Sequence, residues 1–264
     1  MDVLILGCGW VGTIFAEKLI QQGCKVFAST TSPQKVEPMQ EAGMTPYLID
    51  FNNPALSRET FLSTMHFDLV LISVPAKRRE EYATCADKFK RLSSFVENIH
   101  ASSIVYLSSV GIYPATGQLI HEMDIPAEQL DKKLYQAEQT LLQQVKGLNI
   151  LRLGGIFGYN RIPGKHFSNK TCPVADQRAN YIHADDIFEI VMAIYRTKTS
   201  NQLFNAVSPH HPTKKEVILK MSTKYNFALP SSFEDVKGPD KTVSSKKLVD
   251  ILAYRFLYPN PIDY

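Results

Sequence analysis

Residues 3–12 of this 264-residue chain are Val3-Leu4-Ile5-Leu6-Gly7-Cys8-Gly9-Trp10-Val11-Gly12. The opening run of branched apolar residues is typical of a strand that is buried on both faces of a parallel sheet. The apolar residues that come next recur on one face of a helix: Val11, Ile14, Phe15 and Leu19. Gly23 would end that helix, and a second apolar run follows at Val26-Phe27-Ala28. The stretch therefore predicts a strand–helix–strand unit with a glycine-rich turn inside it.

The three glycines of this turn have the G-x-G-x-x-G spacing of a dinucleotide-binding site. Gly7 permits a tight turn, Gly9 lets a pyrophosphate approach the backbone, and Gly12 lets the helix lie close to the sheet. The phosphates would lie at the helix N-terminus, where N–H groups and the helix dipole favour negative charge. We therefore predict a nucleotide site that also includes Trp10 and Val11. A purely structural strand–helix–strand unit is the alternative.

Composition places the chain among ordinary globular proteins. It is 44% hydrophobic and its formal net charge is only +3. This hydrophobic content is ample for a core, and lysines and arginines scattered among acids predict no nucleic-acid surface. No uninterrupted apolar stretch approaches the roughly 18 residues that span a bilayer, so we expect no membrane partner.

Cysteine usage indicates a reducing compartment. The four cysteines stand far apart without a C-x-x-C motif: Cys8, Cys24, Cys85 and Cys172. We expect small buried residues rather than a disulfide framework or a zinc site. Asp2 stands where a signal peptide would carry basic residues, and glycines interrupt the apolar start. A cytoplasmic protein is therefore expected.

Strand-like apolar runs alternate with amphipathic segments along the chain. We predict strands at 3–6, 26–28, 46–50, 68–74, 103–108, 149–153 and 203–207. The main later helices are predicted near 58–65, 78–100, 127–146, 185–195, 214–225 and 245–252. This alternation predicts an α/β fold of the Rossmann type, a doubly wound parallel sheet. We expect a dinucleotide-binding domain at 1–155 and a small, partly interleaved substrate-side subdomain at 156–264, whose strand 202–207 returns to the sheet.

The end of the second strand indicates which dinucleotide would bind. An acid at this point grips the ribose 2′-hydroxyl of NAD. This chain has Lys35 close by and four hydroxyl residues instead: Ser29, Thr30, Thr31 and Ser32. Hydroxyls can donate to a 2′-phosphate that an acid would repel, so NADP is favoured, with NAD as the alternative.

The ends of two further strands are expected to contact the cofactor. Asp50 and Phe51 follow the third strand and are placed for an adenine edge. An aspartate that caps a turn is the alternative interpretation of Asp50. Val74, Pro75 and Ala76 follow the fourth strand and should border the cofactor.

Five segments carry a resemblance to a known family: LGCGWVG (6–12), YLSSVGIYP (106–114), LRLGGIFG (151–158), NYIHADDI (180–187) and FNAV (204–207). In this order they resemble the extended and atypical short-chain dehydrogenase/reductases, in the NAD(P)-dependent epimerase/dehydratase branch. The similarity covers nearly the whole chain. It implies hydride transfer on a sugar-nucleotide or small carbonyl substrate.

The resemblance also implies catalytic residues. Ser109 matches the catalytic Ser/Thr of the family by its spacing to Tyr113. The Tyr-x-x-x-Lys pair of the family falls on Leu130 and Leu134, and neither side chain can transfer a proton. Tyr113 is the first substitute, with a structural or substrate-contact role as its alternative, and Tyr135 is the second.

Four basic residues are candidates for receiving an anionic substrate such as a nucleotide diphosphate: Arg152, Arg161, Lys165 and Arg178. Solvated loop residues are the alternative. A structural role is preferred for His183 with Asp185 and Asp186 at a helix start, with a metal or acid/base cluster as the alternative. The pair His210-His211 is interpreted as a solvated loop, with a metal site as the alternative. The acids Glu122 and Asp124 are interpreted as exposed loop residues, with substrate contact as the alternative. No metal site is predicted from them.

These observations favour an NAD(P)-binding, epimerase/dehydratase-like oxidoreductase that acts on a small molecule, as a monomer or homodimer. Because the usual Tyr-x-x-x-Lys pair is missing, a non-catalytic NADP-binding sensor or regulatory protein is the alternative.

Overall fold

A computed structural model describes residues 1–53, 60–77, 79–235 and 238–264. Its centre is a seven-stranded parallel sheet in the order β7-β6-β5-β4-β1-β2-β3. The strands are β1 (Asp2–Leu6), β2 (Lys25–Thr30), β3 (Thr45–Leu48), β4 (Leu69–Ile72), β5 (Ile104–Ser109), β6 (Leu148–Leu153) and β7 (Leu203–Ala206). The chain winds outward in both directions from β1, so the predicted α/β class with a doubly wound sheet is confirmed.

Helices connect these strands in the described residues. They are α1 (Trp10–Gln21), α2 (Val36–Glu41), α3 (Thr60–Thr64), α4 (Tyr82–Val96), α5 (Lys132–Gln144), α6 (Ala184–Arg196), α7 (Lys214–Tyr225) and α8 (Lys246–Leu252). Short parallel pairs of strands join 66–67 to 100–101, 119–120 to 242–243, 155–157 to 181–183 and 171–172 to 232–233. In the part of the chain that the structure describes, no helix is long and apolar enough to cross a membrane.

The chain divides into two compact units, and each is discontinuous in sequence. The first unit comprises residues 1–112, 131–151 and 191–203. The second comprises residues 113–130, 152–190 and 204–264. A domain boundary at 155/156 stays a prediction, because compactness does not show that either piece folds by itself.

The core of the first unit follows the apolar runs of its strands. Residues 3–6 and 69–72 are fully buried, which confirms that these runs form strands covered on both faces. Phe89 and Leu92 of α4 and Leu141 of α5 pack into the same cluster. Tyr82 of α4 lies outside this core. As the first residue of α4 it is half exposed, and its hydroxyl donates to Gln136 at 3.4 Å.

The helix predicted at 127–146 starts later than the apolar pattern suggested. A single 3-10 turn spans Ala127–Gln129, Leu130 is extended, and α5 begins at Lys132. The cause is Asp131, whose carboxylate accepts the N–H groups of Lys133 and Leu134 at 3.1 and 3.0 Å and so caps the helix. Leu130 and Leu134 therefore do not share one helix. The predicted helix starts at 58 and 78 lie outside the described residues.

A buried carboxylate organises the C-terminal segment of the second unit. Asp186 of α6 is fully buried and accepts the Tyr254 hydroxyl at 2.7 Å and the N–H groups of Leu257 and Tyr258 at 2.7 and 3.1 Å. Burial raises the pKa of Asp186, and these three donors oppose that rise. Asp186 thus fixes residues 254–258 and does not simply cap its own helix.

Asp186→Ala should destabilise the protein by about 2–4 kcal/mol, because three donors lose a charged acceptor in a buried position. Asp250→Ala, which removes an exposed i,i+4 pair with Lys246, should change stability by less than about 0.5 kcal/mol. Urea denaturation measures both. Equal midpoints for the two variants would contradict the role assigned to Asp186.

Candidate functional site

Two of the three glycines in the turn after β1 are required by close packing. Gly7 has a φ of +89°, and a Cβ on it would lie 2.9 Å from the backbone nitrogen of Val74. A Cβ on Gly12 would lie 3.2 Å from both the Gly7 carbonyl oxygen and Cγ2 of Ile5. Any side chain at either position would push the turn away from β4 or α1 away from β1.

Gly9 is different, because a Cβ on it would meet no described atom within 4 Å. Its φ of −86° is also open to other residues, so the fold does not demand glycine here. Among the described residues, no side chain caps the start of α1, and its first turn holds no acid. The turn thus leaves open space beside backbone N–H groups at a helix N-terminus. A diphosphate fits both the space and the charge.

Of the four hydroxyl residues at the end of β2, two are buried and hydrogen-bonded within the protein, and two are at least partly exposed. The Ser29 hydroxyl is buried and accepts the Gly7 N–H at 2.8 Å, while the Ser29 carbonyl accepts the Cys8 N–H at 2.7 Å. Thr30 is also buried, and its hydroxyl accepts the N–H of Ser32 at 3.2 Å. Ser29 and Thr30 therefore shape the turn, whereas Thr31 is exposed and Ser32 is half-buried.

Lys35 brings a positive charge to the same region. Burial raises the pKa of the Cys8 thiol, and a hydrogen bond with Thr13 and the charge of Lys35 oppose that rise. The charge of Lys35 thus lowers the pKa of the Cys8 thiol in the glycine turn, and the charge of Glu17 raises it.

The segment after β3 forms a tight turn. One Asp50 carboxylate oxygen accepts the backbone and side-chain N–H groups of Asn52 at 2.9 and 3.0 Å. The Phe51 ring is buried and lies edge-on to Phe95, with the ring centroids 5.6 Å apart. The turn interpretation of Asp50 is therefore realised, and contact of Asp50 and Phe51 with an adenine stays a prediction. Of the residues after β4, Val74 is buried, Ala76 is half-buried and Pro75 is exposed.

Ser109 ends β5 with its hydroxyl in a defined orientation. Its oxygen accepts the Gly111 N–H at 3.0 Å, which leaves the hydroxyl hydrogen to be donated elsewhere. A Cβ built on Gly111 would be 3.1 Å from the Ser109 hydroxyl oxygen and 3.7 Å from Cδ1 of Leu134. Leu134 thus lies beside the Ser109 turn, at the position where the resemblance expected the lysine of the Tyr-x-x-x-Lys pair. The neighbouring Ser108 donates to the buried Glu138 of α5 at 2.6 Å.

Tyr113 lies in a buried polar network within the second unit. Its hydroxyl donates to Oδ1 of Asn205 and accepts from the Arg152 guanidinium, both at 2.7 Å. Arg152 also donates to the Glu122 carbonyl at 3.1 Å, and the Glu122 carboxylate accepts the Asn205 N–H at 2.8 Å. Burial raises the pKa of Tyr113, although the charge of Arg152 opposes the rise. Tyr113 is therefore a neutral phenol whose oxygen already has two partners.

A cavity of about 510 Å³ lies within the second unit, on the segment after β6. Its lining combines apolar side chains, such as Phe157 and Ile162, with the basic residues Arg161, Lys165 and His166. Burial lowers the pKa of His166, and the charges of Lys170 and Lys214 lower it further. Among the described residues that line this cavity there is no acid. The cavity can therefore receive an anionic group.

The four predicted cations separate in the structure. Arg161 and Lys165 line the cavity. Arg152 belongs to the Tyr113 network, and Arg178 donates to the His211 carbonyl at 3.2 Å. Glu122 is buried and Asp124 accepts the His121 N–H, so neither is a simply solvated acid.

His183 is held by contacts within the second unit. His183 is buried with its Nδ1 accepting the Asp185 N–H at 3.1 Å, and its ring packs on Tyr258 with the ring centroids 3.7 Å apart. Within the described residues, no group of three or more His, Cys, Asp or Glu side chains could hold a metal ion.

Two residues of these sites, Asn205 and His166, were not predicted as functional from the sequence. Asn205 belongs to the FNAV segment, and an asparagine inside an apolar strand indicates a buried hydrogen-bonding role. Its Nδ2 is buried and, among the described residues, has no hydrogen-bond partner. His166 follows Lys165 in the long segment after β6, and the basic pair was the available signal.

Comparison with known proteins supports the fold on which these sites stand. Residues 3–92 match the family model of ketopantoate reductase PanE/ApbA. Protein YeeZ of Escherichia coli K12 is 25% identical over 273 residues, which cover 98% of this chain and 97% of that protein.

Solved epimerases share the architecture. The ADP-L-glycero-D-manno-heptose-6-epimerase of Helicobacter pylori superposes with a TM-score of 0.79 at 14% identity, over 99% of this chain and 94% of that one. The UDP-glucuronic acid 4-epimerase of Bacillus cereus, solved with UDP-glucuronic acid and NAD, has a TM-score of 0.77 at 14% identity, over 100% of this chain and 96% of that one. The Rossmann-type, epimerase-like fold implied by the sequence resemblance is confirmed.

Tyr113→Phe should destabilise the protein by about 1–3 kcal/mol, because Arg152 and Asn205 each lose a buried partner. Tyr82→Phe removes a phenol from an exposed position and should leave the free energy of unfolding nearly unchanged. Thermal unfolding of both variants measures the difference. An unchanged melting temperature for Tyr113→Phe would contradict a structural role for this hydroxyl.

Proposed function

We propose that this chain binds a nicotinamide adenine dinucleotide, with NADP preferred over NAD. The observation that carries the proposal is the open space over Gly9 at the uncapped start of α1. Gly7, Gly9 and Gly12, together with the N–H groups of Trp10 and Val11, would hold the pyrophosphate. The family-model match over residues 3–92 and the fold shared with an NAD-bound epimerase support this proposal.

The preference for NADP follows from charge at the end of β2. Residues 25–35 contain no acid, and Lys35 supplies a positive charge near the turn. In this proposal Thr31 and Ser32 meet the 2′-phosphate from its exposed side, while Ser29 and Thr30 hold the turn in place. Asp50 and Phe51 would border the adenine, and Val74, Pro75 and Ala76 would border the rest of the cofactor.

The bound dinucleotide would supply or accept a hydride. We propose that Ser109 polarises the carbonyl of the substrate, since its oxygen accepts the Gly111 N–H and its hydrogen remains available for donation. The substrate would be a sugar nucleotide or a small anionic carbonyl compound. The acid-free cavity that includes Arg161, Lys165 and His166 supports an anionic substrate.

Proton transfer needs a source other than the two leucines. Tyr113 is proposed as the second catalytic residue on the substrate side, and water is the other source. The Arg152 guanidinium at 2.7 Å would stabilise negative charge on the phenol when its proton leaves.

A second candidate function is that of an NADP-binding sensor or regulatory protein. Leu134 beside the Ser109 turn favours it, because an apolar side chain at that point cannot lower the pKa of a proton donor. Binding of the dinucleotide is common to both candidates, and turnover separates them.

Gly9→Ala should weaken NADPH binding by about tenfold or more, equivalent to about 1.4 kcal/mol, while the protein stays folded. The added methyl group would fill the space proposed for the pyrophosphate and would contact no described protein atom. Isothermal titration calorimetry of the wild-type protein with NADPH and NADH, and of the variant with NADPH, measures the effect.

Gly23→Ala is the matched control. Its φ of +78° makes alanine strained there, so stability should fall by about 1–2 kcal/mol with NADPH affinity unchanged. Wild-type protein that binds neither nucleotide would refute the proposed function.

Turnover is tested at 340 nm by following NADPH oxidation with small carbonyl compounds and NADP+ reduction with sugar nucleotides. An enzyme should lose about 100-fold in kcat in Ser109→Ala, with NADPH affinity retained, because a donor to the reacting oxygen is removed. Ser94→Ala, at an exposed position on α4, should have unchanged kcat. Tight NADPH binding without turnover on any compound would favour the sensor.

A further inference from the structure

Residues 74–77, which leave the end of β4, are held by lysines from two different helices. Lys88 of α4 donates from Nζ to the Pro75 carbonyl at 2.7 Å and to the two carboxylate oxygens of Glu80 at 2.8 and 2.6 Å. Lys133 of α5 donates to the Lys77 carbonyl at 3.2 Å and also to the Glu80 carbonyl. The segment is therefore fixed by charged hydrogen bonds at both of its ends.

Lys88 is unusual because it is buried in a protein core. Only 3% of the residue is exposed, and 11% of the Glu80 side chain. Its ammonium group has three acceptors, which match its three hydrogens. The bond and charge of Lys88 hold the pKa of Glu80 below its ordinary value, against the effect of burial.

Stability alone does not explain such a pair. Buried ion pairs are commonly no more stabilising than apolar side chains of similar volume. Lys88 lies between Cys85 and Leu92 on the apolar stripe of α4, where a leucine would continue the pattern. A leucine at this position could not form the hydrogen bonds that connect the Pro75 carbonyl to the Glu80 carboxylate.

The position of this segment follows from the strand order. β1 lies between β2 and β4, and the glycine turn after β1 packs on the Val74 backbone. A dinucleotide with its adenosine at β2 and its pyrophosphate at the glycine turn must extend its other half toward the β4 side.

We propose that Lys88, together with Glu80 and Lys133, is a positioning residue that fixes residues 74–77 as the wall for the nicotinamide half of the cofactor. This inference rests on the proposed function, because it needs a dinucleotide at the glycine turn. Lys88 acts through the backbone of residues 75–77 and does not itself touch the cofactor.

The test compares a whole dinucleotide with its adenosine half. Lys88→Met should lower the affinity for NADP by about tenfold and leave the affinity for 2′,5′-ADP within about twofold, because 2′,5′-ADP does not reach residues 74–77. Lys90→Met is the matched control on the same helix, since the Lys90 side chain is 69% exposed, and both affinities should be unchanged. Isothermal titration calorimetry measures all of them.

A double variant guards against misfolding. Lys88→Met leaves Glu80 buried without its cation, so Lys88→Met/Glu80→Gln removes both charges and should show the same selective loss of NADP affinity. Hydrogen exchange of the Glu80 amide, which donates to the Lys77 carbonyl at 3.1 Å, should be faster in both variants than in Lys90→Met.

The outcomes separate this inference from the proposed function. Wild-type protein that binds both ligands, with variants that lose both equally or neither, would overturn the role of Lys88 and leave the proposed function standing. Wild-type protein that binds neither ligand would overturn both.

Discussion

The close approach between Gly7 and the end of β4 is the constraint on which the first unit depends. The φ of Gly7 is +89°, and a Cβ built on it would lie 2.9 Å from the Val74 nitrogen. No side chain can be accommodated at this position. This packing turns the chain sharply after β1, so that α1 starts beside open space. It also brings the exit of β4 next to the same turn. The steric requirement for glycine at position 7 thus places the N-terminus of α1 and the loop after β4 around the same open space.

Polar groups around that volume serve two purposes. Some form hydrogen bonds that build it, as with the Ser29 hydroxyl, which accepts the Gly7 N–H, and Lys88, which donates to the Pro75 carbonyl. Others, such as Thr31 and Lys35, are exposed at its edge. A hydroxyl or charged group in a sequence motif therefore indicates a ligand contact only where hydrogen bonds within the protein do not already account for it.

The second unit contains a buried charged side chain. Arg152 is 3% exposed, which is tolerated because the Tyr113 hydroxyl and the Glu122 carbonyl accept its hydrogens. The cavity in the same unit is lined by Arg161 and Lys165, and no acid is among its described lining residues. The first arrangement stabilises the unit, and the second brings basic side chains to a cavity.

The sequence by itself determined the α/β class, the central strands and the glycine turn, because runs such as 3–6 and 69–72 are apolar on both faces and glycine spacing is local information. Tertiary structure decided which residues far apart in the sequence become partners. Asp131 caps α5 and so sets its start, and Asp186 accepts hydrogen bonds from residues 254–258. Arg152 donates to Tyr113 and does not line the cavity, and Lys88 donates to the Pro75 carbonyl. Each of these contacts needs a hydrogen-bond partner that only packing brings close. The periodicity of a helix or strand in the sequence does not predict which partner that is.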